Sequence, residues 1–222
     1  VAMFGNNMRD VAVTDGDRVE SEIRYGWNVN YYGIGDLVDV INAVTDVEVK
    51  AKLSELTAKY TMATDNVDAV KEQVKYIVAF EKFFDDNKIG AFTDTFEDLH
   101  GLKQLPGLAS QEMMSKGIGF GPEGDYKTSA LMAVLCNMAE GREGATAFLE
   151  DYTYDLTEGE ELELASHMLE VSPVFAASKP EIQVHPLGIG GKADPARLVF
   201  DGIQGKGIAV SMVDMGTHFR LI

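Results

Sequence analysis

Three side chains that could bind a divalent metal or move protons follow one another along this chain. They are Glu123 in the segment GPEGDYK, Glu150 in FLEDYTY and His167 in ASHMLEV. Two carboxylates and an imidazole form a mixed oxygen and nitrogen ligand set that suits Mn²⁺. A positioned carboxylate can also accept and return a proton. We therefore treat these three residues as a candidate metal and acid–base site.

Each of the three residues also has an ordinary structural explanation. Glu123 lies just before a predicted helix, where an acidic side chain complements the helix dipole. Glu150 lies in a predicted strand on the same face as Tyr152 and Tyr154, and this face could simply be exposed to solvent. A lone histidine such as His167 is more often a structural hydrogen-bonding residue than a metal ligand. Spacing alone leaves both interpretations open.

The segment from Gly119 to Gly124 formally fits the GxGxxG pattern of dinucleotide-binding loops, and a predicted helix follows it. Glu123 argues against this function, because its carboxylate would lie where a pyrophosphate binds. A nucleotide-dependent oxidoreductase remains an alternative. Tight NAD binding without any metal requirement would favour it.

The elements that must position these residues divide the chain into two parts. Over 1–143, strand-like and helix-like segments alternate, which predicts an α/β domain with a parallel, Rossmann-like sheet. The strands predicted there are 11–14, 19–23, 89–93 and 117–120, and the helices are 36–44, 47–60, 67–84, 106–114 and 125–138. Over 144–222, short strands separated by Gly and Pro predict an incomplete antiparallel, β-barrel-like domain. Its predicted strands are 146–155, 161–168, 181–184, 197–200, 207–214 and 217–222.

The composition argues against several classes of partner. The 222 residues include 19 basic and 36 acidic side chains, which give a formal net charge of −17. Nucleic acids and anionic membranes are disfavoured as partners, because binding to either needs clustered Lys and Arg. No apolar stretch approaches the roughly 20 residues of a membrane-spanning helix. Cys136 is the only cysteine, so a disulfide framework is excluded and a cytoplasmic location is expected.

Six long segments distributed over the chain together resemble the L-arabinose isomerase family. They are FGNNMRDVAVTDGD, TDTFEDLHGLKQLPGLA, GPEGDYKTSAL, FLEDYTY, SHMLEVSP and HPLGIGGKADPARL. The resemblance implies that the chain contains the central α/β domain of the family and the first part of its C-terminal β domain. The N-terminal domain and the C-terminal end of the family would then be absent. The implied activity is the isomerisation of L-arabinose to L-ribulose through an enediol, with D-galactose to D-tagatose as a further candidate reaction.

The resemblance also implies roles for individual residues. Glu123, Glu150 and His167 match three of the four residues with which the family binds one Mn²⁺ per subunit. The fourth ligand is a histidine, and no histidine of this chain lies in the matching motif. Glu123 and Glu150 would bind the metal and share the acid–base work, whereas His167 would act as a ligand only.

The family resemblance further implies a sugar-binding surface and an oligomer. Three side chains would contact the aldose: Phe96, Met168 and Ile189. The family forms homohexamers with active sites near subunit contacts, so a homo-oligomer is expected here. A non-catalytic oligomerisation fragment is the second alternative to an isomerase.

Overall fold

A computed structural model describes all of residues 1–222. The six helices are α1 (Arg18–Tyr25), α2 (Ile34–Ala43), α3 (Asp46–Lys59), α4 (Val67–Asn87), α5 (Gly107–Met114) and α6 (Tyr126–Ala139). The strands are β1 (Ala2–Phe4), β2 (Asn30–Tyr32), β3 (Thr61–Met62), β4 (Ala91–Asp94), β5 (Gly119–Phe120), β6 (Glu150–Asp155), β7 (Leu162–Ser166), β8 (Glu181–Val184), β9 (Ala196–Val199), β10 (Met212–Asp214) and β11 (Phe219–Leu221).

A parallel sheet of four strands in the order β2-β1-β4-β5 organises the first part of the chain. The helices follow its strands in the sequence, so the predicted α/β class is confirmed. Because all four strands run in the same direction, their carboxyl ends meet at one edge, where open α/β sheets usually bind ligands. Phe4, Asp94 and Phe120 are the last residues of the three neighbouring strands at this edge.

Helix α4 packs aromatic side chains against this sheet. It begins after the N-cap Asn66, whose side chain accepts a hydrogen bond from the backbone of Ala69, and eleven of its 21 residues are buried. Phe80 contacts both Phe4 and Phe92, with ring centroids 6.4 and 5.5 Å away. Each fully buried Phe of this kind stabilises the fold by about 1.5–3 kcal/mol. No helix of the chain is long and apolar enough to cross a lipid bilayer.

The second part of the chain consists of short paired strands, as its sequence predicts. The pairs β6–β7, β8–β9 and β10–β11 are antiparallel, whereas β3 from the first part joins β8 in parallel. The strands belong to separate small sheets, and none of these sheets closes into a barrel. The barrel-like character and the domain boundary at 143/144 therefore stay predictions.

Two strands predicted near the N-terminus are wrong. Residues 11–14 contain a 3₁₀ turn, Ala12–Thr14, and residues 19–23 lie within α1. The side chain of Asp17 caps α1 by accepting a hydrogen bond from the backbone of Glu20, and Gly26 ends the helix with a left-handed φ of 71°. The β-branched residues that suggested a strand are not core residues, since Val19 and Ile23 are 70% and 72% exposed. The buried strand β1 and its neighbour β2 were not predicted.

Candidate active site

A cavity of about 320 Å³ lies at the carboxyl edge of the parallel sheet, where the second part of the chain covers it. Small-molecule sites commonly have volumes of about 300–1,000 Å³. All six site residues predicted from the sequence line this one cavity: Glu123, Glu150, His167, Phe96, Met168 and Ile189. They come from five separate segments of the chain, so folding brings together residues that are as much as 93 positions apart, from 96 to 189.

Glu123 is held in a strained loop between β5 and α6. Its φ of 63° lies in the left-handed region, which costs a non-glycine residue about 1–3 kcal/mol. Three hydrogen bonds fix the loop: Met8 N–H donates to the Glu123 carbonyl at 2.9 Å, Gly124 N–H donates to the Asp94 carbonyl at 3.1 Å, and Asn7 Nδ2 donates to the Gly124 carbonyl at 3.0 Å. The N-terminal segment thus keeps Glu123 in a conformation that the residue would not adopt alone.

The acidic residue at the start of α6 that stabilises the helix end is Asp125, not Glu123. The carboxylate of Asp125 accepts hydrogen bonds from the backbone N–H groups of Lys127 and Thr128, both at 3.0 Å, and so caps α6. The side chain of Glu123 is therefore not needed as the N-cap of α6, and the residue lines the cavity instead.

The glycines of the GxGxxG-like segment are explained by close packing within the protein. A Cβ atom on Gly119 would lie 2.0 Å from the carbonyl oxygen of Ser129, and one on Gly121 would lie 2.8 Å from that of Asp125. A Cβ atom on Gly124 would lie 2.5 Å from Cα of Asn7. These glycines bring α6 and the N-terminal segment against β5, which accounts for the pattern without a nucleotide.

Glu150 reaches the cavity from the first position of β6. A bulge between Asp151 and Thr153 shifts the pairing of β6 with β7. As a result Glu150, Asp151 and Tyr152 all line the cavity, whereas Tyr154 does not, and its hydroxyl donates a hydrogen bond to Asp151. The prediction that Glu150, Tyr152 and Tyr154 share one face is therefore wrong, because a bulge breaks the alternation of side chains along a strand.

His167 follows β7 and is oriented by two neighbours. Its Nδ1 lies 2.5 Å from Oε2 of Glu170, and its ring meets Phe148 edge-on with centroids 5.2 Å apart. Its other nitrogen, Nε2, lies 3.8 Å from Oε2 of Glu150. Histidines that bind metals usually have their second ring nitrogen bonded to a carboxylate in this way. Sequence reasoning missed Glu170, although its i+3 spacing from His167 in SHMLEV was a usable signal.

Burial and charged groups around the cavity shift the pKa values of Glu123 and His167. The pKa of Glu123 is raised by its burial and then by the charge of Glu150, while His167 opposes both effects. Burial is the largest influence on the pKa of His167 and lowers it, but the hydrogen bond and charge of Glu170, together with Glu150 and Glu123, raise it overall. The site therefore contains an excess of negative charge that protons or a cation would relieve.

The three predicted metal ligands do not all lie close together in the structure. No three His, Cys, Asp or Glu side chains of the chain come close enough together to form a metal site. Glu150 and His167 approach each other, and Glu123 lines the same cavity. The chemistry of these donors fits a divalent cation, since mutually repelling carboxylates lie beside an imidazole whose Nδ1 is already bonded to Glu170.

Asp94 is a further residue of the cavity that sequence reasoning missed. It ends β4, is only 7% exposed and lines the cavity. Burial first and the charge of Glu170 second raise its pKa to about 8, with His167 opposing. Its position at the carboxyl end of a buried parallel strand was the signal that could have identified it.

Comparisons with known proteins agree over the whole chain. Residues 1–141 match the family model of the L-arabinose isomerase central domain, and residues 145–222 match that of the L-arabinose isomerase C-terminal domain. The L-arabinose isomerase of Halalkalibacterium halodurans is 52% identical over 228 residues, which cover 100% of this chain and 46% of that protein. The L-arabinose isomerase of Thermotoga petrophila is 52% identical over 224 residues, which cover 100% of this chain and 45% of that protein.

A third relative, L-arabinose isomerase 2 of Bacillus licheniformis, is 52% identical over 228 residues, which cover 100% of this chain and 48% of that protein. The chain thus spans about half the length of the curated relatives that it matches.

Proposed function

Because this chain belongs to the L-arabinose isomerase family, we propose that the complete gene product containing it interconverts L-arabinose and L-ribulose in the 320 Å³ cavity. The observation that carries the proposal is the convergence of all six predicted site residues on one cavity. The conversion of D-galactose to D-tagatose is a second reaction of the same chemical type at the same site.

The isomerisation moves one hydrogen from C2 of the aldose to C1. A base removes the C2 proton, and the electron pair left behind forms a C1=C2 double bond while the carbonyl oxygen becomes an enediolate oxygen. Return of the proton to C1, with loss of the proton from the C2 hydroxyl, produces the ketone. The site must therefore carry a proton between two carbons and exchange another between two oxygens.

Glu123 and Glu150 are the pair of groups that we assign to this work. Burial and the charge of Glu150 raise the pKa of Glu123, so its carboxyl takes up a proton more readily than an exposed carboxyl does. Because the charge of Glu150 contributes to the raised pKa of Glu123, the two roles are assigned to the pair and not to either residue alone. The fixed loop of Glu123 keeps one of the two acids in place at the cavity.

Glu123, Glu150 and His167 would bind one divalent metal per subunit, with Mn²⁺ as the expected ion. When bound, such an ion supplies Lewis-acid stabilisation of negative charge on the substrate oxygens. The chain itself contributes the orientation of the imidazole, because Glu170 fixes Nδ1 and directs Nε2 towards Glu150. Support for the metal comes from this donor chemistry and from the excess negative charge of the cavity.

Apolar side chains complete the surface for a sugar. Phe96, Met168 and Ile189 line the cavity and would pack on the C–H groups of the aldose.

The hairpin formed by β6 and β7 leaves large apolar side chains exposed, since Leu156 and Leu162 are 79% and 69% exposed. This exposed surface supports a homo-oligomer, for which a hexamer is the expected form and light scattering of the complete gene product is the test.

The experiment that tests the proposal measures ketose formation by the complete gene product. L-arabinose and D-galactose are assayed separately with Mn²⁺, after removal of metal by a chelator, and after Mn²⁺ is restored. We expect L-ribulose to form, formation to stop with the chelator, and activity to return with the metal. Absence of L-ribulose under all three conditions would overturn the proposed reaction. Tight binding of NAD, with no effect of metal, would instead favour the nucleotide-dependent alternative.

A further inference from the structure

Asp94 has a carboxyl group whose chemistry the proposed reaction leaves unused. The residue is 93% buried, and its Oδ2 atom is closed to solvent and has no hydrogen-bond partner. Burying a polar group without a partner costs about 1–3 kcal/mol. An unpartnered carboxyl oxygen in a cavity does not stabilise the fold, so it indicates a role in function.

The position of Asp94 is firmly determined by its backbone. Its Cα pairs with that of Phe4 in β1, and its carbonyl accepts a hydrogen bond from Gly124 at 3.1 Å. The side chain thus extends from a rigid strand end beside the loop of Glu123. Rotation about the Cβ–Cγ bond exchanges its two oxygens over a broad range, so an unpartnered oxygen can face the cavity without any movement of the backbone.

The surroundings of Asp94 do not satisfy its carboxyl group. Glu170 and His167 are the charged groups that influence it. Oε2 of Glu170 is already 2.5 Å from Nδ1 of His167, and no ion pair links Asp94 to a basic side chain. Two residues further along the chain, Phe96 lines the same cavity. The same cavity is therefore lined by a polar group and an apolar ring, which suits a ligand with both hydroxyl and C–H groups.

We infer that Asp94 is a substrate-binding residue whose carboxyl group hydrogen-bonds a hydroxyl of the sugar away from the reacting carbons. This inference rests on the proposed function for the identity of the sugar. A carboxyl group that keeps its proton can donate one hydrogen bond and accept another, as a hydroxyl can. The environment of Asp94 favours that neutral form, because burial raises its pKa to about 8. The partner hydroxyl is on C3, C4 or C5, since C1 and C2 react.

The test removes the two partners of this hydrogen bond separately and together. In the complete gene product, kcat/KM of Asp94→Ala and of wild type is measured on L-arabinose and on its 3-, 4- and 5-deoxy analogues. We expect Asp94→Ala to lower kcat/KM for L-arabinose about 10- to 100-fold, as for a lost hydrogen bond in a buried site. On the analogue that lacks the partner hydroxyl, wild type should already be reduced, and Asp94→Ala should add less than about threefold. An equal loss on all four sugars, or no loss, would overturn the inference.

Direct binding separates this inference from the proposed reaction. Calorimetric titration with L-arabitol, a polyol that cannot isomerise, should give a Kd about 10- to 100-fold weaker for Asp94→Ala than for wild type. That result would support Asp94 even if wild type formed no ketose, whereas equal binding, or no binding by wild type, would overturn the inference. Asp94→Asn keeps a donor and an acceptor and should recover part of the affinity. Asp68→Asn, whose side chain is 94% exposed in wild type, is the matched control and should bind as wild type does.

Discussion

Lys127 offers the sharpest test of how the chain holds the Glu123 loop in place. Its side chain is 0% exposed, and Nζ donates hydrogen bonds to the carbonyl oxygens of Val13, Thr14 and Asp15 at 3.1, 2.9 and 2.7 Å. Nζ also lies 3.1 Å from Oδ1 of Asp125, the N-cap of α6. The substitution Lys127→Met keeps most of the side-chain volume but removes the ammonium group that joins the N-terminal segment to α6.

The expected cost follows from what the substitution leaves behind. Removing one partner of a buried ion pair destabilises a protein by about 3–5 kcal/mol. Three carbonyls without their donor would add about 1–3 kcal/mol each if no water replaced the ammonium. Because the loops around Val13 can relax and admit water, we take the lower figure of about 3–5 kcal/mol. For a chain of this size each kcal/mol lowers Tm by about 2–4 °C, so the expected decrease is about 6–20 °C.

Thermal unfolding followed by circular dichroism measures this decrease. The matched control is Lys71→Met, because Lys71 is 49% exposed and pairs with the exposed Asp68, and the loss of an exposed pair changes stability by less than about 1 kcal/mol. The reasoning predicts a large decrease for Lys127→Met and almost none for Lys71→Met. Equal melting temperatures for the two variants would refute the account of Lys127 as the link between the two segments.

Two further predictions concern packing and charge. Gly119→Ala should lower the free energy of unfolding by at least about 1–3 kcal/mol, because the new Cβ would lie 2.0 Å from the Ser129 carbonyl, whereas Gly90→Ala, with open space around it, should not. Urea unfolding of the two variants checks this, and equal midpoints would contradict it. Folding raises the pKa of Asp94 from 3.8 to about 8. The protonated carboxyl therefore contributes its full share to the free energy of unfolding below pH 3.8, and this share is lost as the pH rises towards about 8. Relative to Asp94→Asn, wild type should therefore lose stability between about pH 4 and about pH 8, and parallel pH–stability curves would contradict this.

Much of the helical structure could be predicted from the sequence because each long helix carries its own local signals. Helix α4, for example, combines an apolar stripe with the N-cap Asn66, and its predicted start at Val67 is confirmed. The strands near the N-terminus were mispredicted because β-branched residues outweighed the signals of Asp17, Glu20 and Gly26, which mark a helix start and end. Strand β1 has only three residues, so its sequence shows no detectable period.

The site could be predicted as a set of residues but not as an arrangement. The family resemblance identified Glu123, Glu150 and His167, and folding places all three on one cavity. The bulge at Tyr152 and the contact between His167 and Glu170 depend on the pairing of β6 with β7 and on the chain after it. Such contacts arise between segments whose relative positions are decided by the whole fold, so no local pattern reveals them.

The most direct test of the central claim compares turnover of L-arabinose by three variants of the complete gene product with Mn²⁺ present. Glu123→Gln and Glu150→Gln each remove a group assigned to proton transfer, and each should lower kcat at least about 100-fold. Glu163→Gln changes an exposed residue of β7, on the same hairpin as Glu150 but outside the cavity, and should leave kcat within about twofold of wild type. If either of the first two variants kept kcat within about tenfold of wild type, Glu123 and Glu150 would not be the acid–base pair of this site.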